Sequence, residues 1–182
     1  MEEYLDILTK GGMPTGESAL KSVVHQKGYY HNTVHVWFYT NNKEVLLSQR
    51  SAKKTICPLL WDVSVAGHID AGEAIMDAAL RETEEEIGLK ITKPHLRKIG
   101  VFPCFQSYES GIQDNEFHHT FLCELPVPLE QLKRQEEEVE ALKLVSLLEF
   151  QNLINTIETP NNHLVPSNKA YYQMVLEAIK YK

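Results

Sequence analysis

Residues 67–89 read GHIDAGEAIMDAALRETEEEIGL, and the fold is decided in this stretch. Gly67, Asp70 and Gly72 make a turn-rich entry, and an uninterrupted helical pattern runs from Glu73 to Ile87 until Gly88 stops it. At about 100° per residue, Glu82, Glu85 and Glu86 fall within one narrow arc, while Glu84 turns away from it. Met76, Ala79, Leu80, Thr83 and Ile87 form an adjoining arc that can be buried. Three carboxylates on one face repel each other by a few tenths of a kcal/mol per pair. No lysine stands between Glu73 and Leu89 to relieve them. A solvated acidic face is the plain explanation. A hard cation against that face is the alternative, since Mg²⁺ takes oxygen ligands from carboxylates and phosphates.

The string also fits a longer template. Gly67, Glu73, Arg81-Glu82, Glu85-Glu86, Gly88 and Leu89 stand in the pattern G-x5-E-x7-R-E-U-x-E-E-x-G-U, where U is aliphatic, and only Thr83 departs from it. The string resembles the Nudix box. That resemblance implies an α/β chain folded as an α/β/α sandwich, with a mixed β-sheet and the box as a loop–helix–loop. It also implies a metal-dependent hydrolase that cleaves a phosphoanhydride in a nucleoside diphosphate derivative or similar organic diphosphate. Mg²⁺ or Mn²⁺ would be held by Glu82, Glu85, Glu86 and the Gly67 carbonyl. Arg81 would orient a box glutamate, and Glu73 would tie the loop to the helix.

Outward from the box, Gln49-Arg50-Ser51, Lys54, Pro58, Trp61 and the run DVSVAGH at 62–68 resemble the branch that includes isopentenyl-diphosphate isomerase. By that resemblance Arg50 and Lys54 would hold the substrate diphosphate. His68, His31 and, one residue off in spacing, His25 correspond to the isomerase histidines. Asp114-Asn115-Glu116 corresponds to its carboxylate pair, which makes Glu116 a further metal ligand. The acidic run Glu136, Glu137, Glu138 and Glu140 competes for that distal role. Ala66 stands where the isomerase has its catalytic cysteine, and neither Cys57 nor Cys104 is equivalently placed. A methyl group cannot transfer a proton. A hydrolase is therefore expected, with an isomerase-like enzyme or a non-catalytic Nudix-fold binding module as alternatives. His25, His31 and His68 either bind metal or hydrogen-bond around the diphosphate. His118 and His119, adjacent on a strand, point to opposite faces and are no ligand pair. His95 and His163 read as solvated loop residues.

The chain has 182 residues, 43% hydrophobic and 24% charged, with net charge −7. That fits one domain over 1–182, with 1–28 as an N-terminal extension packed on it. No basic stripe is present, so the expected partner is a small-molecule diphosphate and not a nucleic acid polymer. No apolar run reaches membrane length, and Met1 is followed by acidic residues, not a basic leader. Three widely spaced cysteines suit reduced thiols in the cytoplasm. A homodimer is left open. Strands are expected at His31–Thr40 and Glu44–Gln49, as a hairpin turning at Asn41-Asn42, and at 62–66, 96–104, 116–125 and 141–145. Helices are expected at Ser18–Gln26, from a capping box at Ser146 to about Ile157, and from a Ser167 cap to near Lys180.

Overall fold

The computed structural model describes residues 3–182, so the acidic start read at Met1-Glu2 lies outside the described residues. The box helix is α2, Ile75–Ile87. It begins two residues later than the pattern suggests, because the Glu73 N–H is taken by a turn to the Asp70 carbonyl at 2.9 Å. Gly88 ends it in the left-handed region at φ 66°, where its N–H reaches back to the Glu84 and Thr83 carbonyls; a glycine bears that conformation at no steric cost. Ala78, Ala79, Thr83 and Ile87 are buried. Thr83, the one departure from the box, fits the dry face because its hydroxyl donates to the Ala79 carbonyl at 2.6 Å.

The sheet is mixed and has nine strands among the described residues. At its centre β3 (Tyr30–Tyr39) runs parallel to β8 (Gln113–Glu124) and antiparallel to β6 (Val65–His68). Strand β7 (Arg97–Ser107) pairs with the far side of β8. A second group is β9 (Val139–Ser146), β4 (Glu44–Arg50) and the two-residue β5 (Trp61–Asp62). The hairpin β1 (Tyr4–Leu8) and β2 (Pro14–Leu20) joins at the Tyr30 end of β3.

Alternation along β3 divides the core into two layers. Val34, Val36 and Phe38 pack with Val65, Phe121 and Ile87 under α2. Trp37 and Tyr39 face the other way, to Phe150 of α3 (Leu147–Asn155) and Tyr171, Tyr172 and Val175 of α4 (Lys169–Lys180). Each fully buried large side chain contributes about 1.5–3 kcal/mol. Helices thus cover both faces of the sheet, which is the expected α/β/α sandwich.

Four local expectations are corrected. Residues 18–20 extend β2, because Ser18, Ala19 and Leu20 pair with Asp6, Leu5 and Tyr4, so the helix α1 is only Lys21–Lys27. The stretch 62–66 is not one strand: β5 ends at Asp62 and β6 starts at Val65. The β3–β4 hairpin touches only at Tyr39↔Val45 and then splays, since β4 is drawn to β9 and β3 to β8. The cap of α4 is Asn168, whose side chain accepts the Ala170 N–H at 2.9 Å, and not Ser167. The Ser146 capping box is present as expected, with Glu149 reaching back.

Candidate active site

Register across β6, β3 and β8 lays out the floor of a cavity of about 930 Å³. On the α4 side, His31 lies opposite Glu116, then Thr33 lies between His68 and His118, then His35 between Ala66 and Thr120. Among the described residues β6 pairs only with β3, and α2 lies against it on the other face. The cavity therefore wraps around β6 and takes in both sides.

On the α2 side the carboxylates converge. A Cβ on Gly67 would overlap the Glu82 carboxylate, so only glycine permits this approach. Arg81 grips Glu73 through Nε and Nη2 at 2.9 and 2.8 Å, and also reaches Glu82 at 2.8 Å, Glu85 at 3.2 Å and the His68 carbonyl at 3.0 Å. Glu73 in turn accepts the Asp70 N–H at 3.1 Å. The bond to Glu73, with the charge of Glu82, holds the Arg81 guanidinium more firmly protonated than usual. Glu86 receives only a 3.4 Å contact from the Ala66 N–H. Burial, then the charge of Glu82, pushes its carboxyl up to about 8. Burial also raises Glu82, against the pull of Arg81. Carboxylates outnumbering their one bonded cation, with Glu86 buried among them, form a donor set that fits a divalent ion.

Cations line the same cavity. Arg50 donates to Asp62 at 3.2 Å and to the Ile56 carbonyl at 3.0 Å. Lys54 is bonded to Glu138, and burial lowers its pKa. Lys21, on α1, lines the cavity while bound to Glu3 at 2.7 Å. Lys21 and Asp62 were not singled out from sequence. Lys21 lies in a polar N-terminal segment with no motif, and only the pairing of β1 with β2 brings it in.

On the other side, His25, His31, His68 and Glu116 offer four ligand atoms all within 4.8 Å of one another. Glu116 lies 3.5 Å from His31 Nε2, 3.7 Å from His68 Nε2 and 3.4 Å from His118 Nδ1. Burial would raise its pKa, but these imidazoles together hold it well below the usual carboxylate range. His31 is raised in turn, Glu116 overcoming its burial, whereas burial lowers His25 and drives His68 far down. His25 Nε2 lies 3.4 Å from Asp114 and 3.3 Å from His68 Nε2. Burial and the charge of Glu116 push Asp114 up to about 6. His31 Nε2 and Asp114 Oδ1 are buried without a hydrogen-bond partner, which also fits a cation-binding site.

The sequence candidates are thus sorted. Glu116 groups with the imidazoles and not with Glu82, Glu85 and Glu86. Of the acidic run, Glu138 lines the cavity, while Glu137 pairs with Lys53 at 2.6 Å on the surface and Glu140 is exposed. His118 turns to Glu116, and His119 instead bonds Asn32 at 2.9 Å, so the two diverge as expected. His95 and His163 are exposed.

A family model, the NUDIX domain, matches residues 29–167. Nudix hydrolase 3 of Arabidopsis thaliana is 42% identical over 159 residues, a match that covers 85% of this chain and only 20% of that relative. Isopentenyl-diphosphate Delta-isomerase 2 of Photorhabdus laumondii is 33% identical over 156 residues, 85% of this chain and 84% of that one. The solved structure of DR0079 from Deinococcus radiodurans shares the fold at a TM-score of 0.69 and 15% identity, over 98% of both chains. The NUDIX domain of Shewanella oneidensis NrtR, solved with ADP ribose, does so at 0.57 and 17%, over 82% of this chain and 86% of that one. Among the described residues no helix is long and apolar enough to cross a membrane. With the family model spanning most of its length and both hydrolase and isomerase relatives, the chain belongs to the NUDIX domain family, in a branch similar to isopentenyl-diphosphate isomerase.

Proposed function

We propose that this protein is a Mg²⁺- or Mn²⁺-dependent hydrolase that cleaves a phosphoanhydride in a nucleoside diphosphate derivative or similar organic diphosphate. The single observation that carries this reading is the under-compensated set of Glu82, Glu85 and the buried Glu86, the first two held by Arg81, with Arg50, Lys54 and Lys21 lining the same cavity. The three glutamates and the Gly67 carbonyl would hold the ion. When bound, it neutralises phosphate oxygens and makes water a better nucleophile at neutral pH. The chain's own residues do the rest. Arg50 and Lys54 hold the diphosphate, with Lys21 from α1 as a third cation. Arg81 fixes the rotamers of Glu82 and Glu85, so no reorganisation is needed as charge builds at phosphorus. Glu116, kept ionised by its imidazoles, suits a ligand or an anchor better than a base that takes a proton near pH 7.

Residues 1–182 act as one unit in this reading, because α1 supplies His25 and Lys21. The substrate is a small molecule, and the three free cysteines suit work in the cytoplasm.

One observation favours a second reading. The His25, His31, His68 and Glu116 cluster, together with the isomerase relative, supports isomerase-like chemistry at a second metal. Against it stands Ala66, directly opposite His35 on the floor, which puts a methyl group where the isomerase has its cysteine; Cys57 and Cys104 reach the cavity from other positions, Cys104 from beside Glu116. Product analysis with isopentenyl diphosphate tests the choice. Hydrolysis releases phosphate, and Ala66→Cys leaves that release within a few-fold. Wild-type protein that shifts the double bond and releases no phosphate would overturn the hydrolase reading.

A further inference from the structure

One row inward from His68 and Thr33, roughly 6–7 Å along the strand, His35 lines the cavity and belongs to neither ligand cluster. His118 stacks on its ring at a centroid distance of 3.9 Å and 23° between planes. His35 Nδ1 lies 2.7 Å from the Tyr171 hydroxyl, and that oxygen also lies 2.8 Å from Trp37 Nε1. An indole N–H can only donate, so the Tyr171 oxygen accepts there, and its own proton is free to turn to His35 Nδ1. The 2.7 Å separation suits a hydroxyl donor. The ring proton of His35 is then on Nε2, which makes no hydrogen bond among the described residues. Beside it on β6, Ala66 contributes only a methyl group, so nothing from that strand covers the ring. Burial keeps the imidazole neutral, a donor and not a cation.

We propose that His35 is a specificity-determining residue whose Nε2–H meets an oxygen on the organic group of the substrate. The cavity then selects organic diphosphates bearing a hydroxyl or carbonyl a few bonds beyond the diphosphate over bare hydrocarbon diphosphates. This rests on the hydrolase reading for the diphosphate end only. A hydrocarbon lying against the N–H leaves it unpaired, which weakens binding by about 10- to 100-fold.

The test compares isopentenyl diphosphate with its hydrated counterpart, 3-hydroxy-3-methylbutyl diphosphate, in kcat/KM with Mg²⁺. Wild type should favour the hydroxylated compound by at least about 10-fold, mainly through KM. His35→Leu should bring the ratio to within about 2-fold of one, and His35→Gln, whose amide N–H can replace the donor, should retain most of it. Tyr171→Phe, which releases the tautomer, should lower the ratio part of the way and serves if His35→Leu does not fold. A wild type that handles the bare compound as well, or a His35→Leu that lowers both substrates equally, overturns the proposal. If neither compound is hydrolysed, the same ratio is read from Kd by calorimetry, and the hydrolase reading is decided separately by phosphate release from nucleoside diphosphate derivatives. Equal Kd values for the two compounds would then overturn the role of His35.

Discussion

On the α2 side of β6, one arginine ties Glu73, Glu82 and Glu85 into a single net, while across the strand Glu116 sits among imidazoles that leave His31 Nε2 and Asp114 Oδ1 without partners. The first cluster is local in sequence: Arg81 and Glu85 stand at i and i+4 and Glu82 and Glu85 at i and i+3 on one helix, spacings that any helix brings together. The second is gathered from α1, β3, β6 and β8 and exists only because the strands pair in one register. Charge separates them too. The α2 cluster carries excess negative charge whose least compensated member is Glu86, whereas Glu116 is matched by its neighbours. If catalysis depends on metal at the box, damage to the two clusters should differ in size and in kind.

The largest effect is expected at Glu86. Glu86→Gln keeps the shape but cannot ionise to hold a metal, so kcat/KM should fall at least about 10²-fold, roughly 3 kcal/mol in the barrier. His31→Gln should cost about 10-fold or less on the same assay, since it leaves the box untouched. Steady-state kinetics on both variants breaks the comparison if the order is reversed.

Stability against pH sharpens it next. Glu86 has an unfolded value near 4.5 and a folded value of about 8. Between those values the unfolded chain is ionised while the folded chain keeps its proton, so stability falls as pH rises through that window. His31, raised in the fold, gives stability below its unfolded value that is lost as pH climbs, in the same direction. The histidines lowered by burial are neutral in both states above about pH 7 and add nothing there. Metal-free protein should therefore lose up to about 1.4 kcal/mol from Glu86 between pH 7 and 8, a fall of a few degrees in Tm. Mg²⁺ should restore it, and Glu86→Gln should flatten most of the slope. A Tm that rises over this interval in EDTA would contradict the charge assignment.

What the sequence disclosed follows the same division. The box helix, its Gly88 stop, the Ser146 capping box and most strands are written in short-range spacing. Strand β2 was missed because PTGESAL is mostly exposed and lacks alternation, and its Ser18–Leu20 end resembles a helix start until it pairs with β1. The Asn168 cap was misplaced by one residue because Ser167 and Asn168 are both good caps. In the site, Arg81 and the glutamates were legible by spacing. Glu116 was legible through its resemblance to the isomerase carboxylate pair, while its position opposite His31 follows only from the pairing of β8 with β3. His35 carries a period-2 signal with His31 and Thr33 on β3, yet its anchor Tyr171 lies 136 residues away.

The smallest effects separate two neighbouring lysines. Lys54 faces the cavity and is bonded to Glu138, whereas Lys53 pairs with Glu137 on the surface. Lys54→Ala should raise KM by about 10-fold with little change in kcat, because it holds the diphosphate equally in ground and transition states. Lys53→Ala should change neither parameter measurably. Equal responses from the two would remove Lys54 from the binding site.

The central claim is that the carboxylates of α2 work through a divalent ion on a diphosphate. It is tested most directly by phosphate release from a panel of nucleoside diphosphate derivatives and other organic diphosphates, using EDTA-treated protein with and without added Mg²⁺ or Mn²⁺. Release that is near zero in EDTA and restored by either ion is the expected result, because Arg81 is shared among Glu73, Glu82 and Glu85, and Glu86 has no bonded cation among the described residues. Release at an undiminished rate without metal would contradict it.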